Sequence, residues 1–418
     1  MDIKRNVYLN QLIERKDNSQ IKVITGLRRC GKSYLLFNAY YAYLISIGIE
    51  SEKIIRIALD DETNEELLDW KKLSATIKSK ILNQESKYYI FLDEIQLVEG
   101  FEKVLNGLNR NTNLDIYVTG SNAKFLSSDI LTEFRGRGDE IRIYPLSFQE
   151  YRSAYAGDID SAWIEYFTYG GLPMMLNLKS DQAKSKYLKD LFENTYIKDV
   201  IDRNNIQRDT VLESIVDILA SSTGSLTNPL NIANTFNSKG HKNTTDKTVN
   251  TYINYLVDAF LIEKAVRFDV KGKKYIGSPF KYYFTDIGLR NARLNFRQQE
   301  ENHIMENVIY NELLIRGYNV DIGVVEVIEK DKNLVSFRKK YEIDFVCNMQ
   351  SKRYYIQSAF DMPTKEKLEQ ELMSLKYTND SFKKIIIVKD KIKPWQNENG
   401  ILIIGLLDFL LNSQSLEL

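Results

Sequence analysis

Four residues near the start of the chain have types and spacing that suit phosphate chemistry. The segment GLRRCGKS at 26–33 satisfies the pattern G-x-x-x-x-G-K-[ST], with its defining positions at Gly26, Gly31, Lys32 and Ser33. Glycines let the backbone approach phosphate oxygens, the lysine adds a full positive charge, and the serine hydroxyl can ligate Mg²⁺. The apolar run IKVIT precedes the segment and an apolar-periodic helix is predicted after it. This setting favours a nucleotide-phosphate loop over a chance glycine-rich turn.

Two adjacent carboxylates follow a second apolar run. In KYYIFLDEIQ at 87–96, Asp93 and Glu94 come directly after aromatic and aliphatic residues. Such a run is typical of a buried parallel strand whose carboxyl end projects into a ligand crevice. Asp93 is therefore expected to hold the Mg²⁺ shell, and Glu94 to orient or deprotonate an attacking water. The alternative interpretation is a pair of solvated turn carboxylates.

A third strand-like run, LDIYVTGSN at 114–122, ends in small polar residues. Thr119, Ser121 and Asn122 are candidates to contact the γ-phosphate or the water, and Asn122 is favoured, although the same residues suit an ordinary helix cap. Arg135 and Arg137 follow on a glycine-containing turn. Either could act as an arginine finger, in cis or across a subunit boundary, or could be an ordinary surface arginine. No guanine-reading N-K-x-D pattern occurs, so ATP is favoured over GTP.

Together these segments resemble prokaryotic AAA-type P-loop ATPases that carry a carboxyl-terminal domain of unknown function, DUF4143. The likeness extends over nearly the whole chain and is carried by Gly26–Ser33, YYIFLDEIQ, YVTGSNAKFL, GRGDEIRIYPLSFQEY and YGGLP at 169–173. The resemblance implies an ATPase core with an extra strand between the phosphate-loop strand and the strand that ends in the two acids. Cys30 occupies a variable loop position, where a thiol beside phosphate would be sensitive to oxidation.

The middle of the chain contains two regions with different predicted structures. Residues 146–205 read as helices, which we expect to form a lid over the nucleotide. From 208, three short helices precede a lysine-rich hairpin, which is the layout of a winged helix. Lys271, Lys273 and Lys274 in the wing could meet DNA phosphates. The third helix carries no arginine, so a protein-docking or purely structural module is the competing interpretation.

The carboxyl-terminal region carries acids in a nuclease-like arrangement. Glu306 lies on a predicted helix at 301–318, and Asp344 lies on the strand YEIDFVCN. This order resembles the restriction-endonuclease-like fold, whose last strand normally supplies E-x-K. Here those two positions are Gln357 and Ala359, a weak neutral ligand and no cation. We therefore expect a degenerate site, formed by Glu306, Asp344 and Gln357, on a scaffold kept for binding or packing.

Length and composition limit the number of domains and the classes of protein to which the chain can belong. At 418 residues the chain exceeds the roughly 250–300 residues at which single cores tend to split, so about two to four domains are expected. Lys+Arg and Asp+Glu both total 57, so nucleic-acid binding must be local. The charged amino terminus and the shortness of the longest apolar run, GILIIGLLDFLL at 400–411, favour a cytoplasmic protein without membrane partners. Two cysteines and two histidines argue against a disulfide framework and a zinc site.

The predicted fold class is α/β. A P-loop NTPase core of ASCE/AAA type with a parallel sheet (1–145) is followed by a helical lid (146–205), a winged helix (206–295) and a degenerate PD-(D/E)xK nuclease-like domain (296–418). The predicted function is Mg²⁺-dependent binding and hydrolysis of ATP as a conformational switch, with DNA or partner proteins as candidate partners. Two alternatives stay open: an ATP-regulated metal-dependent nuclease, and a nucleotide-gated protein-interaction module without a nucleic-acid role. An oligomer is expected if the arginine finger acts in trans.

Overall fold

The structure is a computed structural model that describes residues 3–121, 138–207, 209–238, 244–297, 300–330, 336–360 and 372–418. It separates into two compact units. The first unit comprises Met1–Pro145 with Asp258–Phe260, and the second comprises Leu146–Val257 with Leu261–Leu418.

The first unit is built on a five-stranded parallel sheet in the order β2-β3-β4-β1-β5. Its strands are β1 (Ile21–Gly26), β2 (Ile54–Ala58), β3 (Tyr88–Asp93), β4 (Leu114–Gly120) and β5 (Gly138–Ile143). Every residue of β1, β3 and β4 is buried, as expected for parallel strands covered on both faces. β4 pairs with both β1 and β3, so the extra strand implied by the resemblance is present.

Helices cover this sheet through apolar stripes. They are α1 (Asn6–Glu14), α2 (Lys32–Tyr34), α3 (Tyr41–Ser46), α4 (Trp70–Lys80) and α5 (Phe101–Leu108), and Leu35–Tyr40 between α2 and α3 is π-helical. In α5, Phe101, Val104, Leu105 and Leu108 are buried, which is the i, i+3, i+4, i+7 pattern of a helix that packs on one face. Because these residues join the same core cluster as residues of β3 and β4, helix packing holds the strand ends in place.

The second unit contains an eight-stranded mixed sheet in the order β12-β13-β11-β10-β9-β8-β6-β7. Its strands are β6 (Ile262–Asp269), β7 (Lys274–Phe284), β8 (Asn319–Lys330), β9 (Ser336–Met349), β10 (Lys352–Ala359), β11 (Lys383–Val388), β12 (Trp395–Gln396) and β13 (Leu402–Gly405). Its helices are α6 (Phe148–Ala154), α7 (Ile159–Tyr169), α8 (Asp181–Leu191), α9 (Lys198–Asn204), α10 (Asp209–Ser221), α11 (Pro229–Ser238), α12 (Asp246–Asp258), α13 (Ile287–Arg293), α14 (Glu301–Ile315) and α15 (Leu406–Leu411). Residue Asp258, at the end of α12, belongs to the first unit.

The hairpin predicted to be a wing is part of this large sheet. β6 pairs antiparallel with β7 and parallel with β8, in the register Arg267↔Ile322. Hydrogen bonding therefore runs without interruption from the predicted winged-helix region (206–295) into the predicted nuclease-like region (296–418). The three helices α10, α11 and α12 precede the hairpin as predicted from sequence, while the winged-helix assignment itself stays a prediction.

Two glycine-containing segments that are distant in sequence meet in the second unit. Asp286 is 2% exposed and accepts hydrogen bonds from the backbone N–H of Gly171 (2.8 Å) and of Leu289 (3.1 Å). A Cβ on Gly288 would lie 2.0 Å from the carbonyl oxygen of Tyr169, so only glycine fits there. Burial raises the pKa of Asp286 to about 6, although its backbone donors lower it. The YGGLP segment is thus held by a buried carboxyl group.

Candidate nucleotide site

The backbone of the phosphate loop depends on its two glycines. β1 ends at Gly26, whose φ is 138°, and a Cβ there would lie 2.0 Å from the carbonyl oxygen of Ile143 in β5. Gly31 has a φ of 103° and immediately precedes the helical run that begins at Lys32. Both dihedrals lie in the left-handed half of the map, where side chains are strained. The loop geometry therefore requires glycine at both predicted positions.

Lys32 folds back over its own loop. Its side chain is 4% exposed, and its ammonium donates to the carbonyl oxygens of Gly26 (3.1 Å) and Leu27 (3.0 Å). Lysine has three donors and no acceptor, so phosphate oxygens can compete for its protons. The carbonyl oxygens that lose a proton donor are neutral, so no unpaired charge is left buried. The partners are neutral carbonyl groups, and no carboxylate among the described residues forms an ion pair with this ammonium.

Ser33 and Asp93 are brought together from different elements. Asp93, 4% exposed at the end of β3, accepts a hydrogen bond from the hydroxyl of Thr119, and the hydroxyl of Ser33 lies close enough to lower its pKa. Burial raises the pKa of Asp93 above its ordinary value, and these two hydroxyls work in the opposite direction. A hydroxyl and a carboxylate oxygen are hard ligands, and Mg²⁺ usually keeps only one or two protein ligands beside phosphate and water. The pair fits the predicted Mg²⁺ role.

Glu94 is held in an uncommon conformation beside Asp93. Its φ of 49° is left-handed, its N–H donates to Thr119 Oγ1 (3.0 Å), and its carboxylate accepts from Ser121 Oγ (3.2 Å) and from Gln96 Nε2. Left-handed non-glycine residues are uncommon outside turns and functional sites. The side chain is half-buried, which leaves it able to meet a water molecule.

Thr119 has a different role from the one predicted. Its fully buried hydroxyl donates to Asp93 and accepts the Glu94 N–H, so it is committed to linking the two acids and not to contacting a phosphate. Sequence spacing could place Thr119 near the acids but could not show which atoms it joins. Asn122, Arg135 and Arg137 lie outside the described residues, and their predicted roles stay predictions.

Arg5 is a supporting residue that sequence reasoning missed. Its guanidinium is buried, lies over the Tyr8 ring, and donates to the carbonyl oxygens of Cys30 (2.9 Å) and Tyr144 (2.7 Å). A trans peptide points its C=O and N–H in opposite directions. Holding the Cys30 carbonyl therefore directs the Gly31 N–H away from Arg5. Cys30 itself is fully buried, with Sγ 3.6 Å from the Ile143 carbonyl oxygen, so its thiol is less open to oxidants than the sequence suggested.

Comparison with known proteins agrees with this geometry. Residues 18–152 match the AAA_14 family, described as an AAA domain. The chain is 35% identical to an uncharacterized protein of Haemophilus influenzae over 98% of each sequence. It is also 31% identical to the uncharacterized protein MJ1544 of Methanocaldococcus jannaschii, over 93% of this chain and 87% of that protein. The chain belongs to the same family as these two relatives, and its residues 18–152 carry an AAA domain.

The rest of the comparison corrects one prediction and supports the fold. Residues 160–300 of this AAA-domain protein match DUF8612, so the expected DUF4143 assignment was wrong. The solved Walker-type ATPase PABY2304 of Pyrococcus abyssi superposes with a TM-score of 0.50 at 15% identity, covering 70% of this chain and 96% of that one. The first unit therefore has the parallel-sheet P-loop ATPase fold. Among the described residues, no helix is long and apolar enough to cross a membrane.

The predicted nuclease-like residues also come together, in the second unit. Glu306 on α14, Asp344 on β9 and Gln357 on β10 converge, and the Asp344 N–H lies 3.4 Å from Gln357 Oε1. Ala359 is buried in an apolar cluster and carries no chemistry. A residue absent from the prediction, Lys281 on β7, lies among the acids.

Proposed function

We propose that this AAA-domain protein binds ATP with Mg²⁺ at the loop 26–33 and hydrolyses it, using the nucleotide state as a conformational switch. The observation that carries the proposal is the approach of the Ser33 hydroxyl to the Asp93 carboxylate, which brings the phosphate loop to the acidic end of β3. Thr119 in turn hydrogen-bonds to both Asp93 and Glu94, so one hydroxyl positions a candidate Mg²⁺ ligand and the candidate base.

Each side chain has a distinct task in this proposal. Lys32 exchanges its carbonyl partners for phosphate oxygens and neutralises their charge. Ser33 and Asp93 would hold Mg²⁺, which when bound supplies further positive charge at the phosphates. Glu94 orients the attacking water and accepts its proton, with its carboxylate positioned by Ser121.

The switch follows from contacts that differ between nucleotide states. Two of the three Lys32 protons are bonded to loop carbonyls, so contacts to both β- and γ-phosphate oxygens would take at least one proton from a carbonyl and change the loop geometry with occupancy. Asn122, Arg135 and Arg137 are proposed to add contacts to the γ-phosphate or to the water. The lid, winged-helix and nuclease-like regions predicted in 146–418 are proposed to respond to this change in loop geometry. Their proposed ligand is DNA or a partner protein.

The test separates binding from hydrolysis. Glu94→Gln should retain ATP binding within about twofold and lose at least about a hundredfold in turnover, the usual scale for a general base. Glu99→Gln, five residues further on and exposed, is the matched control and should behave as wild type. Binding is measured with a fluorescent ATP analogue and turnover by phosphate release. Turnover by Glu94→Gln equal to that of the control would remove Glu94 from the base role.

A further inference from the structure

A buried lysine lies at the centre of the nuclease-like acids. Lys281 is 4% exposed, and its ammonium is 2.7 Å from Glu342 Oε1, 2.9 Å from Glu306 Oε1 and 3.9 Å from Asp344 Oδ1. Tyr283, two residues along β7 and so on the same face, donates its hydroxyl to Glu306 Oε1 at 2.6 Å. One strand therefore supplies both a cation and a donor to acids from α14 and β9.

Glu306 and Asp344 have further contacts besides Lys281. Asp344 accepts the Ser358 N–H at 2.8 Å, which fixes it against β10. Glu306 packs against Gly224, where a Cβ would lie 3.2 Å from Oε1, so its carboxylate fills the space beside that residue. Side chains of Glu306 and Asp344 are only 13% and 12% exposed. Partly buried carboxylates need a compensating positive charge, and in the described part of the chain Lys281 is the cation that contacts both of them.

We propose that Lys281 is a built-in cation, which holds Glu306, Glu342 and Asp344 as a divalent metal ion would and thereby closes this cluster to metal ions and to metal-dependent phosphodiester cleavage. The lysine arrives from β7, whereas the position where the nuclease-like pattern expects a lysine is the buried Ala359. The positive charge of the lysine therefore lies among the acids, where the nuclease-like pattern would hold a metal ion, and not beside that position.

Distances and charge support this assignment. Ammonium–carboxylate contacts of 2.7 Å and 2.9 Å are ordinary for charge-assisted hydrogen bonds, and they fill the space between the two glutamates. Burial alone would lower the pKa of Lys281, but Glu306, Asp344 and Glu342 together raise it above its usual value, so the ammonium keeps its proton at neutral pH. Across the part of the chain that the structure describes, no group of three or more His, Cys, Asp or Glu residues is arranged to hold a metal ion.

Mn²⁺ binding tests the proposal. The full-length chain without nucleotide is titrated with Mn²⁺, and free Mn²⁺ is followed by electron paramagnetic resonance. Lys281→Met should bind Mn²⁺ at least about tenfold more tightly than wild type, and Lys281→Met/Asp344→Asn should lose that gain. The matched control is Lys264→Met, because Lys264 lies on the neighbouring strand with its ammonium 3.8 Å from the centroid of the Phe280 ring. It should bind as wild type does.

Three results would overturn the proposal. The first is Mn²⁺ binding, or Mn²⁺-dependent DNA cleavage, by the wild type that Asp344→Asn abolishes. The second is a folded Lys281→Met that binds no more Mn²⁺ than wild type. If Lys281→Met does not fold, Lys281→Met/Glu306→Gln should recover folded protein because one unpaired acid has been removed. A double variant no better folded than the single one would also contradict the proposal.

Discussion

Lys32 and Lys281 are equally buried, at 4% exposure each, yet they are held by opposite kinds of partner. In the first unit, Lys32 donates to two neutral carbonyl oxygens, and hydroxyls satisfy the nearby Asp93. In the second unit, Lys281 contacts carboxylates directly. Neutral hydrogen bonds contribute only about 1 kcal/mol each, whereas breaking a buried ion pair costs about 3–5 kcal/mol. Lys32, which is proposed to bind phosphate, therefore has weak hydrogen bonds that a ligand can replace. Lys281, which is proposed to take the place of a metal ion, has strong ion pairs.

The largest expected effect contrasts the two lysines in stability. Lys281→Met leaves partly buried carboxylates without their cation and should lower the free energy of unfolding by about 3–5 kcal/mol. Lys32→Met leaves only neutral carbonyls unpaired and should lower it by about 1–2 kcal/mol. Urea unfolding of both variants measures the difference. Equal losses would show that the two lysines are held alike.

Asp286 extends the comparison to a buried acid that the structure surrounds with backbone donors. Its pKa in the fold is about 6 and above its ordinary value, so the folded state binds the proton more tightly than the unfolded chain. The stabilisation is complete below pH about 4 and is lost as the pH rises through about 6, a change of about 3 kcal/mol. Asp286→Asn cannot titrate and should flatten this slope.

Unfolding free energy measured at intervals from pH 4 to pH 7 checks the Asp286 effect. The matched control is Asp160→Asn, since the Asp160 side chain is 62% exposed. It should keep the wild-type slope. A slope that persists in Asp286→Asn would assign the proton to another group.

The sequence predicted much of the first unit because its signals are local. β1, β3 and β4 show as unbroken apolar runs, and Gly26 and Gly31 stand where the chain must turn sharply. The fold of the second unit was harder to predict from the sequence. Its hairpin joins the sheet through the parallel pairing of β6 and β8, and a connection of that kind leaves no periodic mark in the sequence.

Supporting residues were missed for the same reason. Arg5 bonds to the carbonyl of Cys30, 25 residues away, and Lys281 to Glu306, also 25 residues away. Neither contact follows from helix or strand spacing, since each needs the folded arrangement of several elements. The roles of Glu306 and Asp344 could be proposed from sequence, but the cation between them could not.

Arg5 supplies a prediction of intermediate size. Arg5→Met removes the donors that orient the Cys30–Gly31 peptide and should raise the KM for ATP about tenfold, or about 1.4 kcal/mol, with a smaller change in kcat. Arg5→Lys should recover part of the loss because one donor can still reach. Arg15→Met is the control, since Arg15 pairs with Asp139 outside the loop. A loss in thermal stability without any change in KM would make Arg5 purely structural.

The smallest predicted effect concerns Thr119. Thr119→Val keeps the shape but removes the donor to Asp93 and the acceptor for the Glu94 N–H, and should lower kcat about two- to fivefold. Thr119→Ser, which retains the hydroxyl, should stay close to wild type. Steady-state turnover compares the two variants. If they behave alike, the hydroxyl does not link the acids functionally.

Calorimetric titration of Mg·ATP into the wild type, Lys32→Met and Lys281→Met tests the contrast between the two lysines most directly. It is performed at a temperature where all three proteins are folded. We expect the wild type and Lys281→Met to bind ATP alike and Lys32→Met to lose binding by at least about a hundredfold, because only Lys32 exchanges its partners for phosphate. Undiminished binding by Lys32→Met, or no binding by the wild type, would contradict a nucleotide site at this loop.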